Sequence, residues 1–268
     1  MKWSLSLGKI AGIRLFVHWT FSILIVYIFF AHYAAGHGLR EALWGAAFII
    51  ALFACVLLHE LGHALTARRF GITTDYITLL PIGGLANMRR MPDRPSEELL
   101  VALAGPAVNF AIAGILAVYL AANNAMPGLD SVHTHQASPG NFLFNLLAVN
   151  VVLAVFNLIP AFPMDGGRAL RALLAYRLEK SVATRIAAKT GQILAILFVF
   201  VGIFINAWLV FIGIFVYLGA SAEASHENVR SVPVHYSADD AAIRRFRKCI
   251  GIFNDPKRDQ HIIQCYRQ

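Results

Sequence analysis

The chain has 268 residues, of which 58% are hydrophobic and only 14% are charged, and its net charge is +8. Soluble domains average about 25% charged residues, so the composition excludes an ordinary soluble domain and favours an integral membrane protein. The apolar runs are continuous rather than alternating, which argues against a β-barrel. The excess of Lys and Arg is interpreted as membrane topology, and no nucleic-acid partner is expected.

Six apolar segments predict an all-α polytopic membrane protein in a lipid bilayer, because each is about the length that crosses one. The sixth segment follows a tight turn, so five spans remain an alternative. Residues 1–222 are predicted to form one intramembrane domain, and residues 223–268 a short basic tail that is partly disordered. The predicted spans cover about residues 15–35, 43–67, 99–122, 142–176, 186–204 and 207–222.

The distribution of Lys and Arg predicts the orientation of these spans. When the N-terminus is assigned to the cytosol, every Lys and Arg except Arg40 falls in a cytosolic segment. Basic residues collect in cytoplasmic loops, so this distribution favours six spans with both termini in the cytosol. The cytosolic segments are residues 1–14, 68–98, 165–189 and 223–268.

Residues 72–91 follow the second span and have a different character. They are apolar and rich in β-branched side chains, and Pro81 and the pair Gly83 and Gly84 lie near their middle. This pattern predicts two short strands around a turn. We expect a β-hairpin associated with the cytosolic side of the membrane, and the alternative is an ordinary cytosolic loop.

The second span contains the sequence His59-Glu60-Leu61-Gly62-His63. Two histidines four residues apart lie on one face of a helix, so both imidazoles can reach one zinc ion. Glu60 is rotated by about 100° from His59, which places it beside the metal as a general base rather than as a ligand. Ionisable groups inside a membrane are costly and mark functional sites, so a chance match is a poor explanation.

The best third ligand is Asp165, which follows Asn157 and the sequence Pro160-Ala161-Phe162-Pro163-Met164. Catalytic zinc sites have three protein ligands and one open position. The prolines and glycines of residues 160–167 cannot continue a regular helix, and broken backbone at membrane depth lines a cavity. The predicted topology places Asp165 and the histidines near the same cytosolic face. The alternative for Asp165 is a capping or interfacial role.

Together, the two motifs resemble the site-2 protease family of intramembrane zinc metalloproteases. The stretch Ala104-Gly105-Pro106-Ala107-Val108-Asn109 also resembles an element of that family, and the resemblance covers residues 1–222. It implies that His59, His63 and Asp165 bind one zinc ion and that Glu60 is the catalytic acid/base. It also implies hydrolysis of a peptide bond in the transmembrane segment of a membrane-protein substrate, as in regulated intramembrane proteolysis.

The family motif also includes an asparagine, which Asn157 matches. The resemblance implies that Asn157 polarises the substrate or holds the site, and the alternative is a backbone cap at the helix break. A prokaryotic cytoplasmic membrane is the implied location. Many prokaryotic relatives carry cystathionine-β-synthase modules after the last span, and residues 223–268 are too few for one module.

Three other functions were weighed against intramembrane proteolysis. A membrane zinc protease of the quality-control type would use a Glu ligand on a polar helix, and a metal transporter would need ionisable residues along several spans. An inactive scaffold is disfavoured by the intact Glu60. Cys55, one turn before His59, is a conceivable fourth ligand but is better explained as a small apolar side chain. The pair His133 and His135 is interpreted as part of a solvent-exposed loop.

Overall fold

The computed structural model of the protein describes residues 4–36, 38–81, 83–90, 92–125 and 141–231, with side chains up to Ser225. The chain divides into two units, Met1–Glu227 and Asn228–Gln268. The predicted loop with His133 and His135 lies outside the described residues, as does most of the predicted tail.

Within these residues the chain forms a small β-sheet and a larger set of helices. The strands are β1 (Ser4–Ile10), β2 (Ile13–His18), β3 (Thr74–Leu80) and β4 (Gly83–Met88). The helices are α1 (Thr20–Ala34), α2 (Gly38–Arg69), α3 (Pro95–Ala122), α4 (Phe142–Asn157), α5 (Asp165–Leu174), α6 (Lys180–Ile205) and α7 (Ala207–Ser231).

Four of the described helices are long and apolar enough to cross a membrane: Gly38–Arg69, Pro95–Ala122, Lys180–Ile205 and Ala207–Ser225. Helices α1 and α4 are also apolar but have 15 and 16 residues. The mainly helical, membrane-spanning class agrees with this architecture, whereas the count of six spans stays a prediction. Helix α7 continues past residue 222, where the sixth span was expected to end.

The four strands form one sheet in the order β1-β2-β3-β4. The two strands predicted within residues 72–91 are present as the antiparallel pair of β3 and β4. Strand β2 pairs in parallel with β3 and in antiparallel with β1. The sequence analysis did not predict β1 or β2.

The first helix begins at Thr20, so the prediction that a helical span starts near residue 15 is wrong. Residues 13–18 are strand β2 instead. Ile13 and Leu15 are buried while Arg14 between them is exposed, which is the two-residue alternation of a half-buried strand. The buried pair packs with Ile77 of β3 against Leu61 of α2. The sheet therefore supports the helix turn that carries the histidine motif.

The interruption predicted in the fourth span separates α4 from α5. The backbone leaves the helix after Asn157 and re-enters it at Asp165, and the Phe162–Pro163 peptide bond is cis. Gly166 and Gly167 were expected in the break but lie in the first turn of α5. They face the folded-back loop so closely that a Cβ on Gly167 would lie 2.6 Å from the backbone of Ala161.

Helices α6 and α7 cover the interrupted segment. Met164 packs with Ala195 of α6 and Val216 of α7, and Phe162 packs with Ala187, Ala188 and Ala220. The small side chains of the two helices let them approach the loop closely. The loop that precedes Asp165 is thereby buried in protein, as irregular backbone at membrane depth must be.

Candidate metal centre

His59 and His63 lie on the inward face of α2 and expose only 6% and 4% of their surface. Their four-residue spacing brings the two rings to one side of the helix, with ring centroids 4.7 Å apart and planes nearly perpendicular. The two Nε2 atoms lie 3.1 Å from each other. The histidine pair therefore presents two nitrogen ligands to one point in space.

Asp165, the first residue of α5, supplies a third atom at the same point. Its Oδ2 atom lies 3.1 Å from the Nε2 atom of His59 and 3.1 Å from that of His63. The three side chains form a buried group of the kind that can hold a metal ion. The structure thus brings together the three residues that were predicted as ligands, although Asp165 lies about a hundred positions after the two histidines.

The opposite nitrogens of both rings are held by neighbours on α3. The Nδ1 atom of His59 donates to Oδ1 of Asn109 over 3.2 Å, and the Nδ1 atom of His63 donates to the carbonyl oxygen of Val101 over 2.6 Å. A carbonyl oxygen only accepts, so each Nδ1 carries the proton and each Nε2 keeps a lone pair.

Three acceptor atoms therefore converge with no proton of their own among them. Three lone pairs directed at one point can bind one cation there. A ligand set of two imidazole nitrogens and one carboxylate oxygen fits a zinc ion, and so does the hydrogen bond from the Nδ1 atom of each imidazole.

Helix α3 approaches the histidines closely because of two glycines. A Cβ atom on Gly105 would overlap with Nε2 of His63 and lie 2.7 Å from Nε2 of His59. A Cβ atom on Gly62 of α2 would lie 2.9 Å from the carbonyl oxygen of Ala104. Glycine at these positions keeps the space around the ligand atoms open and lets α2 and α3 pack at short distance.

The group lies in the wall of a cavity of about 540 Å³. Glu60 of α2 lines this cavity, and its side chain contacts β4 at Gly84, where a Cβ atom would lie 2.5 Å from Cγ of Glu60. Most of the remaining wall is apolar and includes Leu153, Phe156 and Phe215. The cavity therefore places one carboxylate beside the metal group in mainly apolar surroundings.

Asn157, the last residue of α4, also lines the cavity. Among the described residues its side chain forms no hydrogen bond, so the expected alternative of a backbone cap at the helix break has no contact to support it. Cys55 is buried with a free thiol, but it does not belong to the group of possible metal ligands.

A buried ionic network holds α5 in place behind the site. Nε and Nη2 of Arg171 both lie 2.6 Å from Oε1 of Glu98 on α3, and Nη1 donates to Oε1 of Glu223 on α7 over 2.7 Å. Lys180 at the start of α6 lies 3.8 Å from Oε2 of Glu98. The Arg171 guanidinium, six residues after Asp165, thus joins α5 to α3 and α7, and Lys180 of α6 joins the network through Glu98.

The comparisons with known proteins agree with this geometry. The model of peptidase family M50 matches residues 47–136 and 125–201, which include the histidine motif and Asp165. The chain belongs to peptidase family M50. A solved structure of the M50 class, the site-2 protease from Methanocaldococcus jannaschii, is 37% identical with a TM-score of 0.59. The match covers 83% of this chain and 95% of that one, which confirms the predicted resemblance.

Two of the curated relatives are named as zinc metalloproteases, the second of them as a putative one. A zinc metalloprotease of Methanocaldococcus jannaschii is 36% identical over 90% of this chain and 66% of its own length. Rip3 of Mycobacterium tuberculosis is 33% identical over 83% of this chain and 59% of its own length. The chain therefore spans slightly less than two thirds of the length of these M50 relatives.

Several residues that shape the site were not selected for it from the sequence. The sequence places Asn109 and Gly105 only in the stretch Ala104–Asn109 that resembles a family element, and Gly84 only in the turn of the predicted hairpin. The available indication for Asn109 was an amide in the middle of an apolar helix, since such polar residues are costly inside a membrane. No pattern in one sequence indicates which glycines face a ligand atom.

Proposed function

We propose that this protein is an intramembrane zinc metalloprotease that hydrolyses a peptide bond in or near the transmembrane segment of a membrane-protein substrate. One observation carries the proposal. His59, His63 and Asp165 converge, buried, in a cavity that Glu60 also lines, and their helix α2 is long and apolar enough to cross a membrane. The names of the M50 relatives support zinc as the ion, and the three ligands correspond to one ion per chain.

Glu60 is the proposed catalytic acid/base. It lies next to His59 in sequence but forms no hydrogen bond with any described residue, so its carboxylate is free to hold a proton at Oε1 or Oε2. It accepts the proton of the attacking water and then delivers it to the leaving amine. A zinc ion at the three ligands would supply a Lewis acid that polarises the scissile carbonyl and acidifies water. Asn157 supplies an amide donor toward the substrate.

Strand β4 is the proposed docking edge for the substrate. In the described sheet β3 is paired on both sides, whereas β4 is paired only with β3. All six residues of β4 line the cavity, so its open edge runs beside Glu60. A substrate helix must unwind before its carbonyls can react, and an unwound segment can add to a sheet edge as a further strand.

The proposed setting is a prokaryotic cytoplasmic membrane, with both termini and the metal site on the cytosolic side. The basis is the distribution of Lys and Arg, from which only Arg40 departs. Water then reaches the cavity from the cytosol. Regulated intramembrane proteolysis of a tethered regulatory protein is the proposed biological use.

The test is cleavage of a tagged single-span substrate by the purified protein in lipid vesicles. Glu60→Gln is expected to lower the cleavage rate by about 10²- to 10⁴-fold, the usual contribution of a general acid/base. Glu41→Gln is the matched control, since Glu41 is an exposed residue in the first turn of the same helix. Equal cleavage by the wild type and Glu60→Gln would refute the proposal.

A further inference from the structure

Arg168 lines the reaction cavity, and its guanidinium has no ion-pair partner among the residues that the structure describes. It lies on α5 three residues after Asp165, on the same side of the helix, and it lines the cavity together with Glu60. Its side chain is only partly exposed. Among the described residues it forms neither a hydrogen bond nor an ion pair.

Arg171, on the same helix, is a buried arginine whose guanidinium has acidic partners. Arg171 is paired with Glu98 and Glu223. Arg168 lies one turn nearer to the metal group, and the acidic groups that line its cavity are Glu60 and Asp165. Oδ2 of Asp165 lies 3.1 Å from Nε2 of each histidine and belongs to the group of possible metal ligands. Glu60 is close enough to Arg168 for electrostatic interaction but forms no ion pair with it.

A charge in an apolar cavity is costly unless it meets a counter-charge. The planar fork of arginine matches a carboxylate, to which it can donate two parallel hydrogen bonds. The walls of the cavity that Arg168 lines include Leu153, Phe156 and Phe215, and low-polarity surroundings strengthen such a pair. A substrate lysine that approached Arg168 would be repelled by the positive charge of the guanidinium.

We propose that Arg168 forms a subsite for a side-chain carboxylate of the substrate, so that the preferred substrates carry Asp or Glu close to the scissile bond. This inference rests on the proposed proteolytic function, since it assigns one feature of the substrate of that site. It adds a specificity-determining residue that touches the substrate, separate from the metal ligands and from Glu60.

The first test measures binding, so that it does not depend on cleavage. Full-length Glu60→Gln protein in lipid nanodiscs is titrated with fluorescent single-span peptides whose ends are both blocked. Each peptide carries Glu, Gln or Lys at one position, which is moved along the segment. At one position, Glu is expected to bind more tightly than Gln by about 10- to 100-fold, the range for a charge-assisted hydrogen bond.

Variants at Arg168 then identify the partner of that carboxylate. Arg168→Lys is expected to keep part of the preference for Glu, Arg168→Gln to remove it, and Arg168→Glu to reverse it in favour of Lys. Arg177→Gln is the matched control, because it removes an equal charge from an exposed position of the same segment and should leave the preference intact. Thermal melting checks that each variant is folded.

Two results would overturn the inference. One is equal binding of the Glu and Gln peptides at every position, and the other is an equal loss of both peptides in Arg168→Gln, which would indicate a role toward the backbone or the fold. These results differ from failure of the proteolytic function, which would appear as cleavage that does not depend on Glu60.

Discussion

The Nδ1 atom of His59 donates a hydrogen bond to Oδ1 of Asn109 over 3.2 Å, and the contact joins residues fifty positions apart on two packed helices. It fixes the proton of His59 on the far side of the ring, so that Nε2 keeps its lone pair toward Asp165. The orientation of a metal ligand on α2 therefore depends on an amide of α3.

Replacing Asn109 tests this dependence. Asn109→Ala is expected to weaken zinc binding by about 10- to 100-fold, the usual effect of removing a group that orients a ligand. Asn109→Asp keeps an acceptor and should retain more of the affinity. Asn123→Ala removes an exposed amide at the end of the same helix and is the control. Competition with a chelator measures the affinity, and equal affinity in Asn109→Ala would contradict the role.

The second prediction concerns the space that Gly105 leaves beside the two histidine rings. In Gly105→Ala the new methyl group would overlap with Nε2 of His63, so zinc content and cleavage should both fall to near background. Gly114→Ala on the same helix is the control, since a Cβ there meets nothing within 4 Å. A Gly105→Ala protein that bound zinc as the wild type does would show that the helices relax around the methyl group.

A substitution at Gly84 is predicted to affect the proposed catalytic base Glu60 but not the metal ligands. A methyl group at this position of β4 would press against Cγ and Cδ of Glu60 at 2.5 and 3.0 Å, and the three atoms nearest to it all belong to Glu60 and none to a metal ligand. Gly84→Ala is therefore expected to lower kcat and to leave the zinc content unchanged. Steady-state cleavage and metal analysis of one preparation check this, and loss of zinc would count against it.

The ionic network of Arg171 is predicted to stabilise the fold. Arg171→Met leaves Glu98 buried without its main partner, and removing one member of a buried pair costs about 3–5 kcal/mol. The melting temperature in detergent should fall markedly. Arg90→Met breaks an exposed pair with Asp93 and should change the melting temperature little. Similar melting of both variants would show that the network does not hold α5 in place.

Much of the site could be predicted from the sequence because its parts carry strong local patterns. Histidines four residues apart within an apolar segment specify a shared helix face. Pro160 and Pro163 before Asp165 specify a break between two helices, and the carboxylate of Asp165 follows it. The hairpin of β3 and β4 was also predictable, because Pro81 and the following glycines mark a turn directly after the β-branched stretch that forms β3.

Other features depend on contacts between distant segments and leave little trace in one sequence. Residues 13–18 are mostly apolar and directly precede an apolar helix. Hydropathy alone therefore does not distinguish β2 from the start of α1, although the burial of its residues alternates around Arg14. The pairing of β2 with β3 joins segments separated by all of α1 and α2. The acceptor role of Asn109 and the open space at Gly105 require the packing of α3 on α2 to be known.

The most direct test of the central claim measures zinc per chain and cleavage together in three purified proteins. The wild type is expected to hold one zinc ion and to cleave a single-span substrate. Glu60→Gln should hold the same zinc and fail to cleave, whereas Asp165→Ala should lose both. Zinc retained in full by Asp165→Ala, or cleavage at the wild-type rate by Glu60→Gln, would contradict the account.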